Sequence, residues 1–289
     1  LNIRGFDNPT SPIPNSRLIV GKNKKLLLIT KKNNIQKISK EKKIKKNQVI
    51  DFHKFKELIN KLNGANFIID SLSCSVFAER VIKSKFKILK KKDPIYRLKS
   101  IKNPSEIKHM IEAHKKDGLA LTKFIYWIKN IKKKNLTEVG AQNKLEKFRK
   151  MNKDYLFPSF NTIAGTGSNG AIVHYRATNL NTRKISQKDI FLCDSGGQYR
   201  YGTTDVTRTI CFTKPKQYIK DIFTKVLKGH IAVALTNLNK IKTGKKIDVR
   251  ARQFLKKDGL DYAHGTGHGV GFFLNVHEGP QSISKYNSI

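Results

Sequence analysis

Residues 191–209 read FLCDSGGQYRYGTTDVTRT and place two carboxylates, Asp194 and Asp205, in runs whose apolar and β-branched neighbours predict buried strand. Burying a carboxylate without a partner is costly, or else drives it to bind a proton. The stretch therefore calls for something positive beside both side chains. Gly196, Gly197 and Gly202 allow the chain to reverse sharply, so Asp194 is expected to end one strand and Asp205 to open the next. In such a hairpin the two carboxylates can face each other across the ladder, where they repel unless a cation lies between them. Oxygen donors of this kind suit manganese, magnesium, cobalt or iron as well as zinc.

A second cluster, HGTGHGVGFFLNVHEGP, carries His264, His268 and His277. Its alternating glycines argue against a helix, and with it against a helical zinc pair of the HExxH kind. In an extended strand the period of two still puts His264 and His268 on one face. His174 lies in AIVHY, which also reads as strand. Each histidine alone reads as structural. Grouped with the Asp pair in glycine-rich segments that the lysines avoid, they read as a site. His53, His109, His114, His230, Asp70 and Cys74 are isolated in the sequence and read as structural or surface groups.

The chain of 289 residues is long enough for two domains. Residues 1–95 read as a small α/β unit: SRLIV and KLLLIT flank GKNKK as a hairpin, FHKFKELINKL has helical spacing, NFIID reads as strand and SVFAERVIK as helix. The opening LNIRGFDNP resembles the interior of a domain. A lysine-rich connector, KDPIYRLKSIKNPSE, separates this unit from residues 96–289. Asn103, Pro104 and Glu106 there predict a capped helix start, and Thr137 a second one. The second unit reads as α+β, with helices packed on a largely antiparallel sheet.

No apolar run approaches the roughly 20 residues that cross a bilayer, so no membrane anchor is expected. Three cysteines without CxxC spacing argue against a disulfide framework and for the cytoplasm. The net charge of +38 comes from lysines spread along the whole chain among many Asn and Ile. That spread reads as compositional bias rather than a nucleic-acid surface.

The stretches DSGGQYRYGTTDVTRT, NGAIVHYRAT, VLKGHIA and GLDYAHGTGHGVGFFLNVHEGP resemble the cytosolic Xaa-Pro aminopeptidases, metallopeptidases with the pita-bread fold. The resemblance covers the second unit, and residues 1–95 are similar to a creatinase-N-terminal-like domain. It implies an α+β pita-bread catalytic domain, its end missing, and two divalent metal ions, usually Mn2+ and alternatively Zn2+ or Co2+. Asp194 would chelate one metal, Asp205 would bridge both and His268 would ligate the other. His174, His264 and His277 would line the substrate site. A hydroxide shared by the metals would attack the peptide bond before a proline in second position. The family's two Glu ligands lie beyond the VHEGP segment and outside these 289 residues, and Glu278 belongs to that motif and is no substitute. The chain is thus expected to be an inactive fragment of an enzyme that is a homodimer at full length. An X-Pro dipeptidase, or a degenerate module binding nucleic acid or protein, is the alternative; the retained Asp194, Asp205 and His268 disfavour a metal-free hydrolase.

Overall fold

A computed structural model describes residues 3–31, 33, 44–132 and 135–286. The chain divides into two compact units, residues 1–98 and 99–289.

In the first unit, Ser16–Val20 (β1) pairs antiparallel with Leu26–Thr30 (β2) in the hairpin that the sequence predicts. Val49–Asp51 (β3) joins β2 in parallel. Phe55–Lys61 (α1) leads to Asn66–Ile69 (β4), which pairs in parallel with Lys87–Lys90 (β5) after the crossover helix Val76–Lys83 (α2). Ile29, Phe55, Ile59, Ile69, Ile82 and Phe86 fill the core of this unit. Its isolated polar residues serve turns: Asp51 accepts from the His53 amide, and Asp70 from the amides of Leu72 and Asp93. The short helix Pro94–Ser100 (α3) contains the point of division.

The second unit begins with the helix Pro104–Asn130 (α4), whose capping box forms as Asn103 and Glu106 predict, each side chain accepting from the other's amide at 2.9 Å. Thr137 caps Glu138–Lys150 (α5) by accepting from the Gly140 amide. Tyr155–Pro158 (β6) and Ile163–Thr166 (β7) follow, then Ile190–Ser195 (β8), Gly197–Tyr199 (β9), Gly202–Thr203 (β10) and Val206–Cys211 (β11). One antiparallel sheet runs β11-β8-β7 and another β10-β9-β6. Along β8 the side chains alternate, so Phe191, Cys193 and Ser195 are buried while Asp194 faces the other side. Phe191 and Cys193 pack with Leu121, Phe124 and Ile128 of α4 and Leu145 of α5.

Gln217–Ala234 (α6) packs against Gly244–Lys256 (α7). Gly269 and its neighbours form Gly267–Gly269 (β12), paired antiparallel with Glu278–Ile283 (β13) through a bulge.

Three local expectations are corrected. Segment 172–175 is not strand: after β7 the chain makes a 3-10 turn, Gly167–Ala171, because Gly165 lets the backbone of Asn169 and Gly170 fold back onto it. His174 accordingly takes a left-handed conformation, φ 57°. The connection between Asp194 and Asp205 is not a plain turn either, since β9 and β10 form a small ladder of their own within it. Finally, the glycine-rich cluster is strand only over β12, so His264 lies outside it and shares no strand face with His268.

Candidate metal centre

Asp194 owes its placement to the core face of its own strand. Next to it, the buried hydroxyl of Ser195 accepts from Nη2 of Arg149 at 3.0 Å. Arg149 on α5 also forms a bidentate pair with Asp117 on α4, Nε to Oδ1 at 2.6 Å and Nη2 to Oδ2 at 3.1 Å, and Tyr199 of β9 donates to the same carboxylate at 2.8 Å. All four side chains are buried. A fully hydrogen-bonded ion pair therefore ties two helices to the strand that presents Asp194.

Across the ladder from Asp194 stands Thr207, whose hydroxyl donates to Asp194 Oδ1 at 2.7 Å. Asp205 precedes β11 by one residue, so the two carboxylates are not ladder partners; Val206 is already paired with Ser195. They nonetheless lie close enough to act on each other. Burial, followed by the neighbouring charge of Asp205, pushes the Asp194 carboxyl above its ordinary value against the opposing hydrogen bond from Thr207.

His268 meets this pair from β12. Its Nε2 lies 3.2 Å from Asp205 Oδ2. Its Nδ1 lies 2.8 Å from the carbonyl oxygen of Gly269, an acceptor only, so Nδ1 carries a proton and Nε2 is directed at Asp205. The hydrogen bond to Asp205 raises the His268 pKa. The His277 ring is 4.1 Å from that of His268 between centroids, and burial together with the His268 charge lowers its pKa. His174 is the least of the charges that bear on Asp194 and His277.

His264 makes contacts of its own. Its ring stacks on Tyr262 at 4.8 Å and its Nδ1 donates to Gly265 O. Its backbone is held by Arg252 of α7, which donates to the carbonyl oxygens of His264 at 2.5 Å and Tyr262 at 2.7 Å while paired with Asp248 and Asp261. Asp248 in turn accepts from Thr266 at 2.6 Å. The Asp248/Arg252 spacing of four on a helix was a visible signal for this anchor. Asp117 and Arg149 gave none, being 32 residues apart. Glu278 is buried and is paired with Lys102 and, at 3.5 Å, with Lys99.

Residues 108–289 match the model of metallopeptidase family M24, and residues 1–106 match that of the Creatinase/Prolidase N-terminal domain. The chain belongs to family M24. Its second unit is the M24 pita-bread domain, preceded by a creatinase-type N-terminal domain. It is 48% identical over 200 residues to a probable Xaa-Pro aminopeptidase P of Paracoccidioides brasiliensis, covering 68% of this chain and 32% of that protein. Over 227 residues it is 41% identical to a probable Xaa-Pro aminopeptidase P of Leptosphaeria maculans, covering 78% of this chain and 38% of that protein. The chain thus spans about a third of the length of the curated relatives it matches. Among solved structures it resembles the X-prolyl aminopeptidase of Caenorhabditis elegans, described as a cytosolic enzyme with a di-nuclear active site, with a TM-score of 0.82 at 29% identity over 99% of this chain and 48% of that one. It also resembles the prolidase of Pyrococcus furiosus, with a TM-score of 0.75 at 27% identity over 95% of this chain and 78% of that one.

Asp194, Asp205 and His268 are donors of the right chemistry for a divalent cation. A half-buried carboxylate and an imidazole already converge at Asp205 and His268, and the proton-seeking Asp194 beside them is a group that a cation would relieve. Among the described residues, however, no three His, Cys, Asp or Glu side chains form a closed set of ligands. The donor types fit the group and the set is open.

Proposed function

We propose that this chain is part of a metal-dependent Xaa-Pro aminopeptidase, acting on peptides with proline in second position. The observation that carries the reading is the convergence of Asp205 and His268, with Asp194 alongside, in an M24 domain. Asp194, Asp205 and His268 would hold two divalent ions, manganese in our reading, with Asp205 as the shared ligand. When bound, the ions supply Lewis acidity toward the scissile carbonyl and a nucleophile drawn from water at neutral pH. The chain's own residues then bind and orient. His277, its imidazole biased toward the neutral form, and His174 would hold the peptide next to the ligands. His264, with its backbone fixed by Arg252, would contact substrate from the rim. Proline suits such a site because its imide nitrogen offers no N–H and its ring fixes φ, so recognition must come from the walls and not from a backbone donor.

Three of the five ligands that the family uses lie within these 289 residues, so the chain alone is expected to bind manganese weakly and to cleave little. We place the enzyme in the cytosol, where the Caenorhabditis elegans relative works, and read the full-length form as a homodimer. The domain division that fits this reading is a creatinase-type domain over residues 1–95 and the catalytic domain over 96–289. Measuring manganese affinity by calorimetry and cleavage of Arg-Pro-Pro, for this chain and for one extended through the following strands, tests the proposal. Strong metal-dependent cleavage by the extended form alone is the expected result; cleavage at full strength by the short form overturns the ligand assignment. The likeness to a prolidase motivates a second reading, an X-Pro dipeptidase. A preference of the extended form for Xaa-Pro dipeptides over Arg-Pro-Pro would select it.

A further inference from the structure

Glu138, the first residue of α5, is a fully buried carboxylate that no part of the reading above uses. Its two oxygens are saturated by donors from one loop. Oε1 accepts from the Thr166 amide at 2.8 Å and from Asn169 Nδ2 at 3.0 Å; Oε2 accepts from the Tyr175 hydroxyl at 2.8 Å and the Arg183 amide at 2.9 Å. Asn169 Nδ2 is also 2.9 Å from the Tyr175 hydroxyl. Thr166 closes β7 and Arg183 lies near the far end of the loop, so one carboxylate gathers the beginning, the middle and the end of segment 166–183. Charge-assisted hydrogen bonds in a buried setting are the strong kind, and four separate donors on one group fix direction as well as distance.

What this hub presents is His174. The tyrosine held by Glu138 is its immediate neighbour; Tyr175 is buried where His174 is exposed, and His174 itself adopts the left-handed conformation with φ 57°. A non-glycine residue keeps that conformation only where its surroundings impose it. The buried phenol supplies the imposition: burial and its bond to Glu138 push its pKa up to about 12, so it remains a donor throughout the working range. With Tyr175 pinned inward, its neighbour His174 is left on the outward, exposed side of the loop.

We infer that Glu138 is a positioning residue which, through the Tyr175 hydroxyl, sets the conformation of the 166–183 loop and with it the left-handed backbone and outward placement of His174. Its catalytic consequence rests on the function proposed above for His174, whereas the placement itself does not.

The test uses the whole 289-residue chain with labelled histidines. Tyr175→Phe removes only the hydroxyl, and Glu138→Gln keeps the size of the side chain while replacing one acceptor by a donor. Both are expected to shift the His174 imidazole resonances, to speed exchange of the Arg183 amide about tenfold or more, a change equal to a factor of ten in the opening equilibrium, and to leave the His230 resonances on α6 unchanged. Loss of thermal stability with His174 signals identical to the parent overturns the inference, since the hub would then be structural only. Should Glu138→Gln fail to fold, Tyr175→Phe decides alone. In the extended form, a fall in turnover with unaltered manganese affinity is the accompanying expectation. If that form proves inactive, the placement is still judged by the His174 signals, so failure of the functional reading is told apart from failure of this one.

Discussion

Nε2 of His268 and Oδ2 of Asp205 stand 3.2 Å apart, joined across a sequence distance that only the fold closes. In the metal-free protein this contact occupies two groups that the proposed function assigns to a cation. A proton and a metal ion therefore compete for the same nitrogen.

The competition has a defined pH sense. The pKa of His268 is raised in the folded state above its ordinary 6.5 by the hydrogen bond to Asp205, so the stabilisation it gives is fully present below that value and is lost as pH rises through the folded pKa. Asp194 acts in the same direction, because its carboxyl, raised by burial, holds its proton more tightly when folded and loses that advantage as pH rises past 3.8. Metal-free protein is thus expected to lose the contribution of this cluster with rising pH, while manganese affinity rises over the same range. Histidine titration by NMR checks the assignment: Asp205→Asn should bring the His268 midpoint down toward its ordinary value. An unchanged midpoint in that variant would refute the pairing.

Breaking the Arg149–Asp117 pair leaves one buried charge without its partner, which costs about 3 to 5 kcal/mol. Arg149→Met and Asp117→Asn should each lower the denaturation midpoint in urea by a corresponding amount. The double variant should lose less than the sum of the two, since no orphaned charge remains. Additive losses would mean that the two side chains act independently.

Arg252 spends its guanidinium on the carbonyl oxygens of Tyr262 and His264 as well as on two carboxylates. Arg252→Lys keeps the charge and cannot reproduce that fork. It should cost about 2 kcal/mol or more of stability, as hydrogen bonds to a charged group are lost, and should alter the resonances of His264 more than those of His174. Equal effects on both would show general loosening instead of a local anchor.

Two helical glycines should respond oppositely to alanine. Gly118 has open space where a Cβ would go, so Gly118→Ala is expected to stabilise by about 1 kcal/mol through helix propensity. At Gly229 the same Cβ would run into the carbonyl oxygen of Ala251 on the neighbouring helix. Backbone cannot yield as a side chain can, so Gly229→Ala should be destabilising by about 1 to 3 kcal/mol despite the better propensity. Thermal melts of the two variants give the signs directly.

Local chemistry in the chain was enough to mark much of this molecule. The Asn103/Glu106 capping box, the Thr137 cap and the hairpin around GKNKK follow from spacing within a few residues. Asp194, Asp205 and His268 were grouped because carboxylates and imidazoles in glycine-rich strand segments have few structural uses, and the fold joins Asp205 to His268. Where the reading failed, glycines were the reason: GTGSNG permits strand, turn and 3-10 helix alike, so His174 could be named without its left-handed conformation being foreseen.

The amino-acid order by itself determined the kinds of group available and the short-range elements that carry them, since caps, hairpins and alternation are decided by neighbours along the chain. Only the tertiary structure decided that Thr207, not Asp205, faces Asp194, that Arg252 fixes the backbone at His264, and that buried charges at Asp117 and Glu138 hold the strand of Asp194 and the loop of His174. Those outcomes depend on register and on contacts between residues far apart in the chain, where desolvation makes an unpaired charge intolerable and a paired one a fixed point.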